Sequence, residues 1–170
     1  MLAAVSIPGR AISETDIWRR FHAPHVRPQE LNALVDALRM DSNLFNLKSC
    51  TTVINAYGHQ QRWRDAISFM MSMRQKGLEP DLIAYSAAIS ACERGREWQQ
   101  ALGLLADMRR MDVEIDVISC SAAISACEKV AVWQHALSLL EEMHRTGIKL
   151  DVIVCNAAIS ACEKGCEWEK

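Results

Sequence analysis

A period of 35 residues organises most of this chain. The stretch from Asp116 to Leu150, DVISCSAAISACEKVAVWQHALSLLEEMHRTGIKL, has full counterparts at 81–115 and 46–80 and a shorter one at 151–170, with no insertion between copies. The residues that keep this step include Trp63, Trp98, Trp133 and Trp168, then Cys92, Cys127 and Cys162, and also Ile54, Ile89, Ile124 and Ile159. A fixed period in this range indicates a solenoid, in which each unit buries its apolar face against its neighbours.

Each full copy predicts two helices. In the copy that begins at Asp81, this residue is a good N-cap, and residues 82 to about 93 form a first helix, helix A. Gly95 is expected to end helix A in the manner of a C-terminal glycine. Residues 97 to about 109 carry apolar side chains at helical spacing and predict a second helix, helix B. Short links favour antiparallel packing, so the predicted fold is an all-α, right-handed superhelical solenoid of antiparallel helical hairpins, with helix A lining the concave face.

The segments outside the full copies are divided as follows. Residues 28–45 are interpreted as a degenerate capping unit, because Pro28 to Met40 predicts a helix whose apolar stripe is in register with helix B. Residues 1–27 are irregular and arginine-rich, which is typical of an organelle transit peptide, but Glu14 and Asp16 weaken this interpretation and favour an ordinary N-terminal segment. The last copy, 151–170, stops early in helix B, which predicts a fragment of a longer array or an end that pairs with another chain.

Composition excludes several classes of protein. The formal net charge of −2 does not favour a nucleic-acid binder, although a solenoid can confine its basic residues to one face. No run of 18 apolar residues is present that could span a membrane. The seven cysteines contain no Cys-x-x-Cys pair, and their seven-residue spacing on helix A is typical of one buried face, so no metal site is predicted. No catalytic motif or phosphate loop occurs, so we expect neither enzymatic activity nor a cofactor.

The repeat unit resembles a known family. A 35-residue helix–turn–helix unit with the run VISCSAAISACEK in helix A and ALSLLEEMHRTGIKLD from helix B onward is similar to the pentatricopeptide repeat. Tetratricopeptide units run 34 residues and place their tryptophan early in the first helix, whereas here tryptophan opens the second. The resemblance implies binding of single-stranded RNA in a mitochondrion or chloroplast, in RNA processing, stability or translation, at one base per repeat.

The resemblance also implies site residues. Counted from the residue after the aspartate, the fifth and last residues of each unit would contact the base edge. These base-reading residues are Thr51 with Asp81, Ser86 with Asp116, Ser121 with Asp151, and Asn156 in the incomplete unit. A small hydroxyl combined with aspartate is similar to the family's guanine pattern and asparagine to its pyrimidine pattern, so the implied register is G-G-G-pyrimidine. The second residues, which would sandwich the base, are Lys48, Ile83, Ile118 and Ile153, of which Lys48 departs from the aliphatic pattern.

A recurring cation marks the end of helix A. These residues, which in the family face the RNA backbone, are His59, Arg94, Lys129 and Lys164. A periodic cation suits a repeating phosphate. A cation at a helix C-terminus is equally explained by the helix dipole. The main alternative function is a scaffold that binds a protein or peptide in the same groove, as tetratricopeptide arrays do.

Overall fold

The computed structural model describes residues 27–40 and 45–165. The described residues form helices only, in the order α1 Pro28–Met40, α2 Leu47–His59, α3 Trp63–Gln75, α4 Leu82–Arg94, α5 Trp98–Arg110, α6 Val117–Glu128, α7 Trp133–Arg145 and α8 Val152–Gly165. Helices α2, α4, α6 and α8 are the A helices of successive units, and α3, α5 and α7 are the B helices. The predicted transit peptide, Trp168 and most of the incomplete final helix B lie outside the described residues.

The A helices start at side-chain caps. Asn46, Asp81, Asp116 and Asp151 each accept a hydrogen bond through Oδ1 from the backbone N–H three residues later, at 2.8 to 3.0 Å. This bond satisfies one of the amides that a helix N-terminus otherwise leaves unpaired. The three aspartates add a negative charge where the helix dipole favours one. The chain therefore uses one aspartate or asparagine per unit to fix where each new hairpin begins.

Both helices of each hairpin end in the same kind of turn. After helix A the residues Gln61, Arg96 and Ala131 have φ between 57° and 60°. After helix B the left-handed residues are Gly77, Asp112 and Gly147. In each turn an N–H bonds to the carbonyl five residues earlier, as in Leu78 N–H to Met73 O at 3.0 Å and Val132 N–H to Cys127 O at 3.1 Å. This is the Schellman pattern, which reverses the chain sharply and makes the two helices antiparallel.

Gly95 is the C-cap of α4, as predicted, but the expected left-handed conformation of a C-terminal glycine is wrong. Gly95 has φ −77° and ψ −5°, which is right-handed, and the left-handed residue is Arg96. Gly95 is required for another reason: a Cβ atom there would lie 2.4 Å from Cδ1 of Trp63 in the preceding unit. The glycine therefore accommodates an indole ring and contributes no special backbone angle.

The A helices stack on one another along the array. Helix α4 packs between α2 and α6, and α6 packs between α4 and α8. Both α4 and α6 also contact the B helices on either side of them. Alanine and cysteine dominate the buried face of α4, where Ala84, Ala87, Ala88, Ala91 and Cys92 are buried. Small side chains allow close approach of the helix backbones. The B helices bury one stripe each, and the recurring Met73, Met108 and Met143 are fully buried there.

One continuous core runs through all the hairpins. Helix α1 adds Leu31, Leu34, Val35 and Leu38 to it, in agreement with the predicted apolar stripe. At the other end Ile159 is 63% exposed, although the equivalent Ile124 is fully buried. The difference arises because no described helix follows α8. The described chain is therefore an all-α helical repeat solenoid.

Candidate functional site

Three isoleucines stand exposed on the A helices at the repeat step. Ile83, Ile118 and Ile153 are 63%, 61% and 66% exposed, and each is the second residue of its helix. Residues three apart on a helix share a face, so each isoleucine lies beside the fifth residue of its own unit. Single exposed aliphatic residues are ordinary, but their recurrence at one place in three successive units marks a regular apolar surface. Lys48 occupies this place in the first unit and is also exposed.

A cavity lies between two of these isoleucines. It has a volume of about 260 Å³, and its wall includes Ile118, Ile153, Ser121 and Asp151. These are the two residues predicted to sandwich a base and the predicted base-reading pair of the unit at 116–150. Glu93, Val117, Ala122 and Ser125 complete the lining. The arrangement offers two aliphatic walls and two polar groups, which is suited to a flat ring with a hydrogen-bonding edge.

The aspartates of the predicted base-reading pairs cap helices. Asp81, Asp116 and Asp151 use Oδ1 to hold the N-terminus of the next A helix. The cap fixes the carboxylate while leaving Oδ2 without a hydrogen bond from the residues that the structure describes. An immobilised acceptor of this kind loses little entropy when a ligand donor reaches it.

The fifth residues differ in their surroundings. Thr51 is only 8% exposed and its Oγ1 donates to Leu47 O at 2.9 Å. Ser86 is partly exposed, with its Oγ 2.8 Å from Leu82 O and 2.8 Å from Ser119 Oγ. Ser121 is partly exposed, and its side chain has no hydrogen-bond partner in the described part of the chain. Asn156 is exposed. Equivalent positions in the sequence are thus not equivalent in hydrogen bonding.

The recurring lysines form ion pairs between units. Lys129 Nζ lies 2.8 Å from Glu93 Oε1, and Lys164 Nζ lies 2.7 Å from Glu128 Oε1. In both pairs the carboxylate comes from the preceding unit. The hydrogen bond from Lys164 is the largest cause that lowers the pKa of Glu128, and Ser160 Oγ donates to the same oxygen at 3.0 Å. A carboxylate therefore offsets the charge of each lysine.

Arg94 is different from the two lysines. The residue equivalent to Glu93 and Glu128 in the unit before it is Gly58, so no carboxylate stands opposite. Arg94 NH1 instead packs against Gly58, where an added Cβ atom would lie 3.1 Å from it. This nitrogen makes no hydrogen bond to a described residue. His59, which holds the cation position in the first unit, is exposed. Among the described A helices, Arg94 thus carries a full charge that no salt bridge offsets.

The pairs Glu93–Lys129 and Glu128–Lys164 form an ion-pair ladder along the A helices. Sequence reasoning missed the carboxylates of this ladder. Glu93, Glu128 and Glu163 recur 35 apart immediately before the cations, with Gly58 in the first copy. The period that revealed the cations could have revealed these residues too. Their pairing across units was not evident from the sequence. Each carboxylate is adjacent to a cation of its own unit but points in a different direction from it. Glu93 and Glu128 each pair with a cation 36 residues later, which they meet only when the hairpins stack. The contact between Ser119 and Ser86, which lie 33 residues apart, was missed for the same reason.

Four of the described cysteines, Cys50, Cys92, Cys120 and Cys127, are buried, whereas Cys155 and Cys162 are partly exposed. Loss of hydration raises the pKa of the Cys92 thiol to about 12 and that of the Cys127 thiol to about 11. Cys50 and Cys120 behave like Cys127, with pKa values of about 11. Neutral thiols of this kind pack as small apolar groups. Within residues 27–40 and 45–165, no group of three or more His, Cys, Asp or Glu could hold a metal ion, and no helix is long and apolar enough to cross a membrane.

Models of known protein families match most of the described repeats of this chain. The PPR repeat family matches residues 46–94, the PPR repeat matches 83–113 and 118–148, and the pentatricopeptide repeat domain matches 138–165. The chain belongs to the pentatricopeptide repeat family. No curated protein matches this pentatricopeptide repeat chain significantly.

Solved structures share the fold of this pentatricopeptide repeat protein. The pentatricopeptide repeat protein PPR10 from maize is 25% identical with a TM-score of 0.69, over 80% of this chain and 20% of that one. PPR10 in complex with an 18-nt psaJ RNA element is 22% identical with a TM-score of 0.64, over 86% of this chain and 24% of that one. A PPR10 variant with three cysteines replaced by serine, bound to the same element, gives the same values. The chain thus spans no more than about a quarter of PPR10.

Proposed function

We propose that this chain binds single-stranded RNA sequence-selectively, at about one base per repeat, in the register G-G-G-pyrimidine. It would do so as part of a longer array that acts in organellar RNA processing, stability or translation. The observation that carries the proposal is the cavity bounded by Ile118, Ile153, Ser121 and Asp151. Support also comes from PPR10, a member of the same family whose solved complexes contain RNA.

The chemistry of this cavity favours guanine. A base that lay between Ile118 and Ile153 would bury both of its faces against aliphatic carbon, which stabilises any base. Its edge would meet Ser121 Oγ and Asp151 Oδ2. Guanine presents donors at N1 and N2 to these oxygens. Adenine presents one donor, at N6, beside the acceptor N1, so it can satisfy only one of two accepting oxygens. Burial would thus supply affinity, and the two oxygens would supply selectivity.

The ion pairs indicate which of the recurring cations should contribute most to the binding of RNA phosphates. Arg94 carries a charge that no carboxylate opposes, so we expect it to contribute more than Lys129 or Lys164, which are held by Glu93 and Glu128. Log affinity falls linearly with log salt concentration, and each phosphate neutralised on a single strand makes this slope more negative by about 0.7. Arg94→Met should therefore make the slope less negative by about 0.7. Glu93→Gln releases Lys129 and should make the slope more negative by a similar amount.

The test of base recognition uses Asp151→Asn. Asparagine retains a side-chain oxygen that can cap α8 through the Val154 N–H, but it replaces Oδ2 by an amide donor. That donor matches adenine N1 and opposes guanine N1–H. We expect the preference at the third base to change from guanine towards adenine by about tenfold, which corresponds to one charge-assisted hydrogen bond.

Binding would be measured by fluorescence anisotropy with RNAs that contain GGGU, GGAU or AAAU once in an unstructured strand. Ser121→Asn tests the partner residue of the same pair. Glu141→Gln is the control, because Glu141 is exposed on α7 and its substitution removes the same charge. Equal affinity for the three RNAs would refute base reading. Absence of RNA binding by the folded chain, together with binding of an extended peptide, would favour the scaffold alternative.

A further inference from the structure

We propose that Ser119 is a positioning residue for the second base-reading pair, Ser86 with Asp116, and restricts that pocket to a base edge with two hydrogen-bond donors. The inference deepens the proposed RNA-binding function and rests on it. Nothing in the repeat pattern assigns a role to Ser119, which is the third residue of α6 and has no accessible surface.

Ser119 joins the two members of the pair. Its Oγ lies 2.8 Å from Ser86 Oγ and 2.7 Å from Asp116 Oδ1. Its backbone N–H also donates to Asp116 Oδ1, at 2.8 Å. Ser86 belongs to α4 and Ser119 to α6, so the bridge crosses from one unit to the next. A buried hydroxyl with partners on both sides holds the two polar groups at a fixed separation.

The number of hydroxyl protons limits which of these hydrogen bonds can form together. Three short contacts link Leu82 O, Ser86 Oγ, Ser119 Oγ and Asp116 Oδ1, at 2.8, 2.8 and 2.7 Å. Two hydroxyls supply only two protons. The proton of Ser119 is directed to Asp116, because a charged acceptor forms the stronger bond. The proton of Ser86 is then shared between Ser119 and Leu82 O, both inside the protein, so that Ser86 faces the pocket as an acceptor.

A pocket that presents two hydrogen-bond acceptors matches a base edge that presents two donors. Ser86 Oγ and Asp116 Oδ2 would both accept, and guanine offers adjacent donors at N1 and N2. Adenine would require Ser86 to turn its proton outward to N1, which would break the bond to the buried Ser119. The bridge therefore penalises adenine at the second base through a residue that never touches RNA.

Other units in the chain provide an internal comparison. The residue equivalent to Ser119 is Ala84 beside the first pair and Val154 beside the third. Neither can form the bridge, and Ser121 in the third pair makes no hydrogen bond to a described residue and can rotate. Discrimination of guanine from adenine should accordingly be stricter at the second base than at the third. Ala84 and Val154 are both fully buried, which shows that alanine and a β-branched side chain fit this place in the fold.

The experiment compares Ser119→Val with Ser119→Thr. These variants are nearly equal in shape and differ in the hydroxyl. For each protein the affinity ratio of guanine to adenine is measured separately at the second and third bases of GGGU by fluorescence anisotropy. We expect Ser119→Val to lower the second-base ratio about fivefold, the effect of one neutral hydrogen bond, with the third-base ratio unchanged. Ser119→Thr should retain both ratios. Far-UV circular dichroism and urea midpoints monitor folding.

Each outcome has one meaning. If wild type prefers guanine and Ser119→Val keeps the full second-base ratio, the role of Ser119 is refuted while the proposed function stands. An equal fall of the ratio at both bases, or the same fall in Ser119→Thr, would show a merely structural role and would also refute it. If the folded wild type binds none of the RNAs, the proposed function itself fails, and the inference fails with it.

Discussion

Replacement of Gly95 by alanine should destabilise the solenoid although alanine favours helices. An ideal Cβ on Gly95 lies 2.4 Å from Cδ1 and 2.9 Å from Cγ of the Trp63 indole. Carbon atoms in contact are normally about 3.5–4.0 Å apart, so the ring would have to move by about 1 Å. Trp63 belongs to the unit before Gly95 and packs against the continuous core, so this movement would disturb the junction between the two units.

The magnitude follows from two opposing effects. Overpacking at a well-packed site costs about 1–3 kcal/mol. Replacing glycine by alanine in a right-handed conformation returns roughly 0.5–1 kcal/mol through the unfolded chain. We expect a net loss of about 1–2 kcal/mol for Gly95→Ala, equivalent to a fall in Tm of about 2–8 °C for a chain of this size.

Gly103→Ala is the matched control. Gly103 lies within α5, is exposed, and a Cβ there would meet nothing within 4 Å. This variant should gain about 0.5–1 kcal/mol in the free energy of unfolding. Urea unfolding followed by far-UV circular dichroism gives both values.

A double-mutant cycle tests the cause. In a Trp63→Leu background the obstacle is gone, and Gly95→Ala should then be neutral or stabilising. The third unit supports this view, because Val130 replaces the glycine there and Trp98 packs instead against His135 in a tilted arrangement, with ring centroids 4.6 Å apart. Equal stabilisation by Gly95→Ala and Gly103→Ala in the wild-type chain would refute the argument.

Three further changes test other parts of the fold. Ala131→Gly should raise the free energy of unfolding by about 0.5–1 kcal/mol, measured by urea unfolding, because Ala131 has φ 60° and glycine tolerates that angle; an unchanged midpoint would contradict this. Tyr85→Cys should cost about 3 kcal/mol in the same assay, since Tyr85 is fully buried where the equivalent Cys120 borders a cavity of about 600 Å³; a loss below 1 kcal/mol would show that the site collapses. Glu128→Gln should lower stability at neutral pH but not in acid. The pKa of Glu128 is lowered in the folded state, so its contribution is present above the unfolded pKa and is lost as pH falls through the folded pKa, and a pH-independent difference in urea midpoint would contradict the role of the Lys164 pair.

The local structure of this protein could be predicted from its sequence. The period gives the number and order of the hairpins, and the aspartates at 81, 116 and 151 mark helix starts because a cap joins residues only three apart. The helix over Pro28–Met40 was equally predictable from its proline and its apolar stripe. Such interactions lie within one turn of helix, so neighbouring residues suffice to specify them.

The hydrogen-bonding state of the candidate site was decided by tertiary structure alone. Repetition predicts that Arg94, Lys129 and Lys164 are alike, and that Ser86 and Ser121 are alike. In the folded chain the lysines meet carboxylates of the preceding unit while Arg94 meets Gly58, and Ser86 meets Ser119 while Ser121 meets no such partner among the described residues. These contacts join residues 33 to 36 apart. Their geometry depends on how one hairpin rests on the next, and a single substitution in the neighbouring unit is enough to change it.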